Sequence, residues 1–183
     1  MTDIPFISFD DMDSRLTWDG VCGALRDGHR LAPGSIADGF AYRGDDTLLS
    51  RAAWIDGLGV AVKSATVIPG NPGRGLPMIH GGVMVFDDAD GRLEAVIDFH
   101  LVTKWKTAGD SALGAQLLAR KDIATVLILG AGTVGRNLVA AYRALFGDLH
   151  FLVWNRTPSR AEAMAEELGL NTAPDLHAAV AEA

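Results

Sequence analysis

The sequence is nearly devoid of cysteine: Cys22 is the single one in 183 residues. One thiol excludes an intrachain disulfide framework and any cysteine-rich metal site. It sits in the apolar stretch Val21-Cys22-Gly23-Ala24-Leu25, which marks it as a buried structural thiol rather than a nucleophile. Long apolar runs are missing too. No stretch reaches the roughly 18–20 residues that a bilayer span requires, so no membrane contact is expected. The start, Met1-Thr2-Asp3-Ile4-Pro5, has neither a basic n-region nor an apolar h-region. No secretory signal is expected, and a cytoplasmic location is the default. Basic residues are the minority, 16 Lys and Arg against 23 Asp and Glu, for a formal net charge of −7. That argues against a general nucleic-acid binder, because phosphate backbones attract basic surfaces. A small anionic substrate stays open, since it responds to a local site rather than to the overall charge. Repeats and low-complexity blocks are also lacking.

What the chain does have is core-forming material: 49% of residues are hydrophobic and 21% charged. That suits one ordinary domain, or one small domain plus part of another. The patterning predicts a helix over 10–28, capped by Asp10 or Asp13 and stopped at Gly28. Residues 30–57 mix Gly, Asp and short apolar pairs, which predicts short strands and turns. A β-rich strand is expected over 60–68, bounded by Gly59 and by Pro69-Gly70-Asn71-Pro72-Gly73. Strands over 83–86 and 93–99 flank the turn Asp87-Asp88-Ala89-Asp90-Gly91 as a hairpin. A helix is expected over 107–120, weakened by Gly109 and Gly114.

The texture changes near Asp122. Residues 124–129 form a short continuous apolar run, as in a parallel strand buried on both faces. A glycine turn follows, then a helix over 134–145, a second strand over 149–154, and a helix over 158–168. That last helix has Thr157 as N-cap, Pro158 at its first position and Gly169 as its stop. This is the β-α-β-α spacing of half a Rossmann domain. The expected fold class is therefore α/β: an N-terminal α+β substrate and oligomerisation domain over 1–121, then an incomplete Rossmann NAD(P)-binding domain over 122–183.

The turn reads Gly130-Ala131-Gly132-Thr133-Val134-Gly135. A bare GxGxxG is a weak signal, but here it follows an apolar strand, opens a helix and precedes a second strand. Gly130 permits the tight turn, Gly132 lets the backbone approach a pyrophosphate, and Gly135 lets helix and strand pack closely. The helix start, with Thr133 and Val134, offers N–H groups and a positive dipole end to phosphate. NAD-selective units usually carry Asp or Glu after the second strand, to bind the ribose 2′-hydroxyl. This chain has Asn155-Arg156-Thr157 and then Arg160. No carboxylate repels a 2′-phosphate there, and two arginines can bind one. NADP(H) is thus the favoured cofactor, with NAD(H) as the alternative. Lys63, within Val60-Ala61-Val62-Lys63-Ser64-Ala65, is unusual because lysine is costly to bury unpaired. It is either functional or on the solvent face of an antiparallel strand.

Several segments together resemble the ornithine cyclodeaminase/mu-crystallin family. They are Val62-Lys63, Pro69-Gly70-Asn71-Pro72, Gly75-Leu76-Pro77, the run Lys106-Thr107-Ala108-Gly109-Asp110-Ser111-Ala112-Leu113, Leu118-Ala119-Arg120 and the Gly-Ala-Gly turn. The resemblance spans about 48–170 in order. It implies hydride exchange between NAD(P) and the amine- or imine-bearing carbon of a small amino or imino acid with a carboxylate. Cyclodeaminases, ketimine and pyrroline-carboxylate reductases and alanine dehydrogenases all fit that description. Non-catalytic NADPH-binding proteins of mu-crystallin type are the alternative. Lys63 is implied to contact substrate, and Lys106 stands where the family usually has an arginine holding the carboxylate. At a helix N-terminus, as expected here, Lys106 would still suit an anion but lacks the bidentate fork. A further family arginine contacts the carboxylate, and Arg43 and Arg51 both qualify. A homodimer through the N-terminal domain is expected, and no metal. The family's chains are longer, so this one is expected to be truncated within the Rossmann domain, or inactive as a fragment.

Overall fold

A computed structural model describes residues 3–183. In chain order the elements are β1 (Phe6–Ile7), α1 (Phe9–Met12), α2 (Trp18–Gly28), β2 (Ser35–Arg43), β3 (Asp46–Ile55), β4 (Gly59–Val67), β5 (Ile79–Phe86), β6 (Leu93–Asp98) and α3 (Phe99–Leu118). They continue as β7 (Thr125–Leu129), α4 (Thr133–Phe146), β8 (His150–Trp154), α5 (Pro158–Leu168), β9 (Asn171–Thr172) and α6 (Leu176–Glu182). Two compact units result. One holds the residues up to Leu16 together with Arg26–Thr103, the other Thr17–Leu25 with Lys104–Ala183. Packing therefore changes partners inside α3, whereas the change of sequence texture lies at 120–123.

The first unit is built on a six-stranded sheet in the order β1-β6-β5-β4-β3-β2. Its pairs are antiparallel except β1 with β6. Residues 30–57, expected as short strands and turns, instead form two long strands of the sheet, β2 and β3. Their pairing is continuous from Ser35↔Trp54 to Arg43↔Asp46. Neighbouring strands supply the hydrogen bonds and the packing that composition alone undervalues. Cross-strand neighbours share a face, so Ala65, Val83 and Ala95 (all buried) lie on one side of the sheet. Phe99, also buried, covers that side. Gly81 is required there: a Cβ would strike the Ser64 carbonyl oxygen and the Phe99 ring.

Two helices differ from expectation. The helix over 10–28 is broken, since Leu16 is extended (φ −89°, ψ 150°) and the chain restarts at Trp18. Ser8 and Thr17 cap the pieces, their hydroxyls accepting from the amides of Asp11 and Gly20 at 3.2 Å each. Neither Asp10 nor Asp13 does so. The helix expected over 107–120 starts at Phe99. Asp98, the last residue of β6, accepts from the amides of His100 (2.7 Å) and Leu101 (3.1 Å). That N-terminal cap satisfies orphan donors immediately after the strand.

In the second unit a parallel sheet runs β7-β8-β9. The core between strands and helices comprises Ile128, Val139, Phe151, Val153, Ala161, Met164 and Ala165. Thr157 precedes α5, Pro158 opens it, and Gly169 ends it at φ 64°. The sheet goes one strand further than the expected pair, through β9. Cys22 is buried, its thiol donating to the Gly109 carbonyl at 3.5 Å.

Candidate functional site

Lys63 belongs to a cross-strand row, Asp38↔Arg51↔Lys63↔Val83. All four side chains point to the face that Phe99 covers, because opposed residues of an antiparallel pair share a face. Lys63 is half-buried, with its Nζ 4.8 Å from the centre of the Phe99 ring. Such a cation–π contact suits a cation removed from bulk water. Arg51 donates from Nε and Nη2 to the two carboxylate oxygens of Asp38, both at 2.6 Å. The hydrogen bonds from Arg51 hold the Asp38 carboxyl below its ordinary range, and the same bonds raise the Arg51 guanidinium further.

Arg43 is elsewhere. It lies at the β2–β3 turn, 86% exposed, and pairs with Asp46 at 2.8 Å. Of the two arginines left open by sequence, Arg51 is thus the one beside Lys63. Asp38 was not singled out in the sequence, since its proximity to Arg51 depends on the β2–β3 register.

Lys106 is a correction. It lies two turns into α3, not at the helix N-terminus, and makes an i,i+4 ion pair with Asp110. Asp98 already caps the true start, so the dipole that would favour an anion acts there and not at Lys106.

The glycine turn joins β7 to α4. Gly130 has φ 111°, a conformation that side chains other than glycine's rarely adopt. Its amide donates to the Trp154 carbonyl at 2.8 Å, one rung beyond the β7–β8 ladder. At Gly135 a Cβ would collide with the Gly130 carbonyl oxygen. Around Gly132 the space is open, and with no side chain Gly132 leaves the first-turn amides of α4, those of Thr133 and Val134, uncapped. A pyrophosphate can approach such a backbone. An open cleft of about 410 Å³ lies beside it, between Leu129–Gly130 and the segment Trp154–Thr157 with Arg160. Arg156, Thr157 and Arg160 are exposed. Thr157 makes no side-chain cap bond to α5, which leaves its hydroxyl for other partners. Among the described residues, no ion pair holds either arginine. The site has the donor chemistry of a dinucleotide cradle.

Two further side chains hold the turn. Asn155 Oδ1 accepts from the Ala131 amide at 3.2 Å, and its Nδ2 donates to the Thr157 carbonyl at 2.9 Å. Arg136 Nη1 donates to the Ala131 carbonyl at 2.8 Å, while the same guanidinium pairs with Glu167. Arg136 occupies the position just after the fingerprint, where the motif gives no signal. No cluster of three or more His, Cys, Asp or Glu among the described residues could hold a metal ion. No described helix is long and apolar enough to cross a membrane.

A parallel β-α-β unit with this turn defines the class: a dinucleotide-binding α/β fold joined to an α+β unit. Residues 53–182 match the ornithine cyclodeaminase/mu-crystallin family, and the chain belongs to it. It is 46% identical over 184 residues to Delta(1)-pyrroline-2-carboxylate reductase of Paracoccus denitrificans, covering 97% of this chain and 58% of that one. It is 30% identical over 106 residues to the ketimine reductase mu-crystallin of Mus musculus, covering 55% and 34%. Among solved structures, the Delta(1)-pyrroline-2-carboxylate reductase of Thermococcus litoralis, in complex with NADH and L-proline, superposes with TM-score 0.80 at 21% identity, covering 95% and 58%. An archaeal alanine dehydrogenase dimer with bound NAD gives 0.83 at 19%, covering 96% and 57%. The chain thus spans little more than half the length of the Paracoccus relative and of these two solved structures.

Proposed function

We propose that the chain forms the substrate-binding and first nucleotide-binding parts of a reductase acting on a small cyclic imino acid with a carboxylate, of the pyrroline-carboxylate kind. The observation that carries this reading is the glycine turn facing an arginine-bearing second loop across one cleft. The pyrroline-carboxylate choice rests on the Paracoccus relative, whose similarity runs through nearly the whole chain. Residues 1–121 serve substrate binding and oligomerisation, and 122–183 begin the nucleotide domain. The cofactor residues are Gly130, Gly132, Thr133, Val134, Gly135, Asn155, Arg156, Thr157 and Arg160, with NADP(H) preferred.

When bound, a reduced nicotinamide would supply the hydride that reduces the carbon of a protonated imine. Lys63 and Arg51 hold the substrate carboxylate by charge, and Phe99 keeps the Lys63 ammonium in place. Lys106, paired with Asp110 on α3, is the second candidate substrate lysine in this reading. A second copy of the chain covers the exposed apolar side chains of β2, Ile36 (69% exposed), Phe40 (56%) and Tyr42 (72%), which alternate onto one face and would be costly left to water. The location in this reading is cytoplasmic.

The test supplies pyrroline carboxylate with NADPH and follows the loss of reduced-nicotinamide absorbance, alongside ammonia release from ornithine. Net oxidation of NADPH supports the reductase. Ammonia release without net oxidation would replace it with a cyclodeaminase, and binding of NADPH with neither activity would leave a carrier.

A further inference from the structure

Asn155 stands between two loops that would each meet a different part of a dinucleotide. Its side-chain oxygen takes the Ala131 amide of the glycine turn (3.2 Å), and its side-chain nitrogen gives to the Thr157 carbonyl (2.9 Å). These bonds lie just past the final contact of the strand pair, Gly130 to Trp154. Thr157 is the residue from which α5 departs, and its carbonyl also accepts from the Arg160 amide at 3.1 Å. One primary amide, half-buried, therefore fixes the glycine turn on one side and the start of the arginine-bearing helix on the other. Only a side chain carrying both a donor and an acceptor at this length can make both bonds. Aspartate offers only the acceptor, and alanine neither.

We propose that Asn155 acts as a positioning residue: it staples the turn that would cradle the pyrophosphate to the loop that would read the 2′-position. This rests on reading the cleft as a nicotinamide-dinucleotide site. Two consequences separate it from a direct phosphate contact. The Ala131 amide is committed to the protein, leaving the phosphate to the amides at the start of α4. Loss of the staple loosens the turn that NADH and NADPH share, so both cofactors weaken alike, whereas losing Arg156 or Arg160 weakens NADPH alone.

The experiment uses the full 183-residue chain. Amide exchange at Ala131 is measured by NMR in the absence of cofactor, and NADH and NADPH are titrated calorimetrically. Asn155→Ala is expected to speed exchange at Ala131 about tenfold while the β7 amides keep their rates, and to weaken both cofactors by the same factor, about five- to tenfold, as the loss of a neutral hydrogen bond implies. Asn155→Asp retains the acceptor. It should restore slow exchange at Ala131 and recover much of the NADH affinity, but not that of NADPH, because a carboxylate now faces the 2′-phosphate. A general destabilisation would speed the β7 amides as well and would not be rescued by aspartate. Unchanged Ala131 exchange in Asn155→Ala, or a loss confined to NADPH, overturns the staple. If the unaltered chain binds neither cofactor, the dinucleotide reading itself fails and takes the inference with it. If Asn155→Ala does not fold, the contrast between wild type and Asn155→Asp decides: slow exchange at Ala131 in the aspartate variant supports the acceptor arm of the staple, and fast exchange there overturns it.

Discussion

Replacing Arg156 by alanine should separate the two nicotinamide cofactors. The 2′-phosphate that distinguishes them carries a charge of about −1.5 to −2 near neutral pH. Arg156 lies at the cleft edge just before α5 and Arg160 in the first turn of that helix; both line the same cleft, so both guanidinium groups can reach one anion. A hydrogen bond to a charged group contributes about 1.5–3 kcal/mol. Both arginines are exposed, so solvent screening pulls the effect to the lower end of that range. NADPH affinity should then fall about tenfold in Arg156→Ala, at 1.4 kcal/mol per decade, while NADH affinity stays put. Arg160→Ala should behave alike, and the double variant should bring the two cofactors close to parity. Calorimetric titration at physiological ionic strength measures all four proteins. A second signature is salt: NADPH binding should weaken more steeply with ionic strength than NADH binding. Equal affinities in the unaltered chain, or parallel losses of both cofactors in Arg156→Ala, would remove the 2′-phosphate role from this loop.

The glycines give a contrasting pair. Gly135→Ala pushes a methyl onto backbone and should lower stability by about 1–3 kcal/mol, as overpacking does, read as a drop in melting temperature. Gly132→Ala meets open space; it should cost under about 1 kcal/mol of stability yet impair dinucleotide binding, and unimpaired binding would move the pyrophosphate elsewhere. Lys63→Ala is expected to leave NADPH affinity nearly unchanged and to cut kcat/KM for the imino acid about a hundredfold, the loss of one charged contact at its upper limit; near-normal turnover would reduce Lys63 to a structural lysine. For Asp38 the pH sign is fixed by its lowered carboxyl. Its stabilisation is fully present above the unfolded value of about 3.9 and is lost as pH falls through the folded one. The melting-temperature gap between wild type and Asp38→Asn should therefore be constant near neutrality and close in acid; a gap that persists at low pH would rule the ion pair out as its source.

The nucleotide-binding half was legible because its determinants are local. Gly130, Gly132 and Gly135 are set by backbone conformation and close approach within six residues, and Pro158 and Gly169 mark the ends of α5 by their backbone preferences. Three of these features appear at the expected positions: the positive φ of Gly130, the contact at Gly135, and the left-handed Gly169. The first unit was less legible. Residues 35–55 look unpromising alone because Ala, Gly and Asp are weak strand formers, and only the register with β4 makes them a sheet. The start of α3 is hidden for a related reason: β-branched Val102 and Thr103 weaken the helical signal, and the cap that overcomes it is Asp98, which falls inside the expected strand 93–99. The misplaced start carried Lys106 with it to a helix terminus it does not occupy.

The row through Lys63 explains why its chemistry could not be read from spacing. Arg51 and Lys63 are 12 positions apart in the chain, too far for any strand periodicity to link, yet they are direct cross-strand neighbours. Two like charges so placed repel and destabilise the pair. Asp38 offsets one of them from the edge strand, and the Phe99 ring offers the other a weakly negative face. From edge to centre the charges run minus, plus, plus, and then end at the apolar Val83. The row sets two cations beside a covered apolar face. In the proposed reading, a carboxylate attached to a small apolar ring would match both halves of that environment, since the charge would meet the cations and the ring the hydrocarbon.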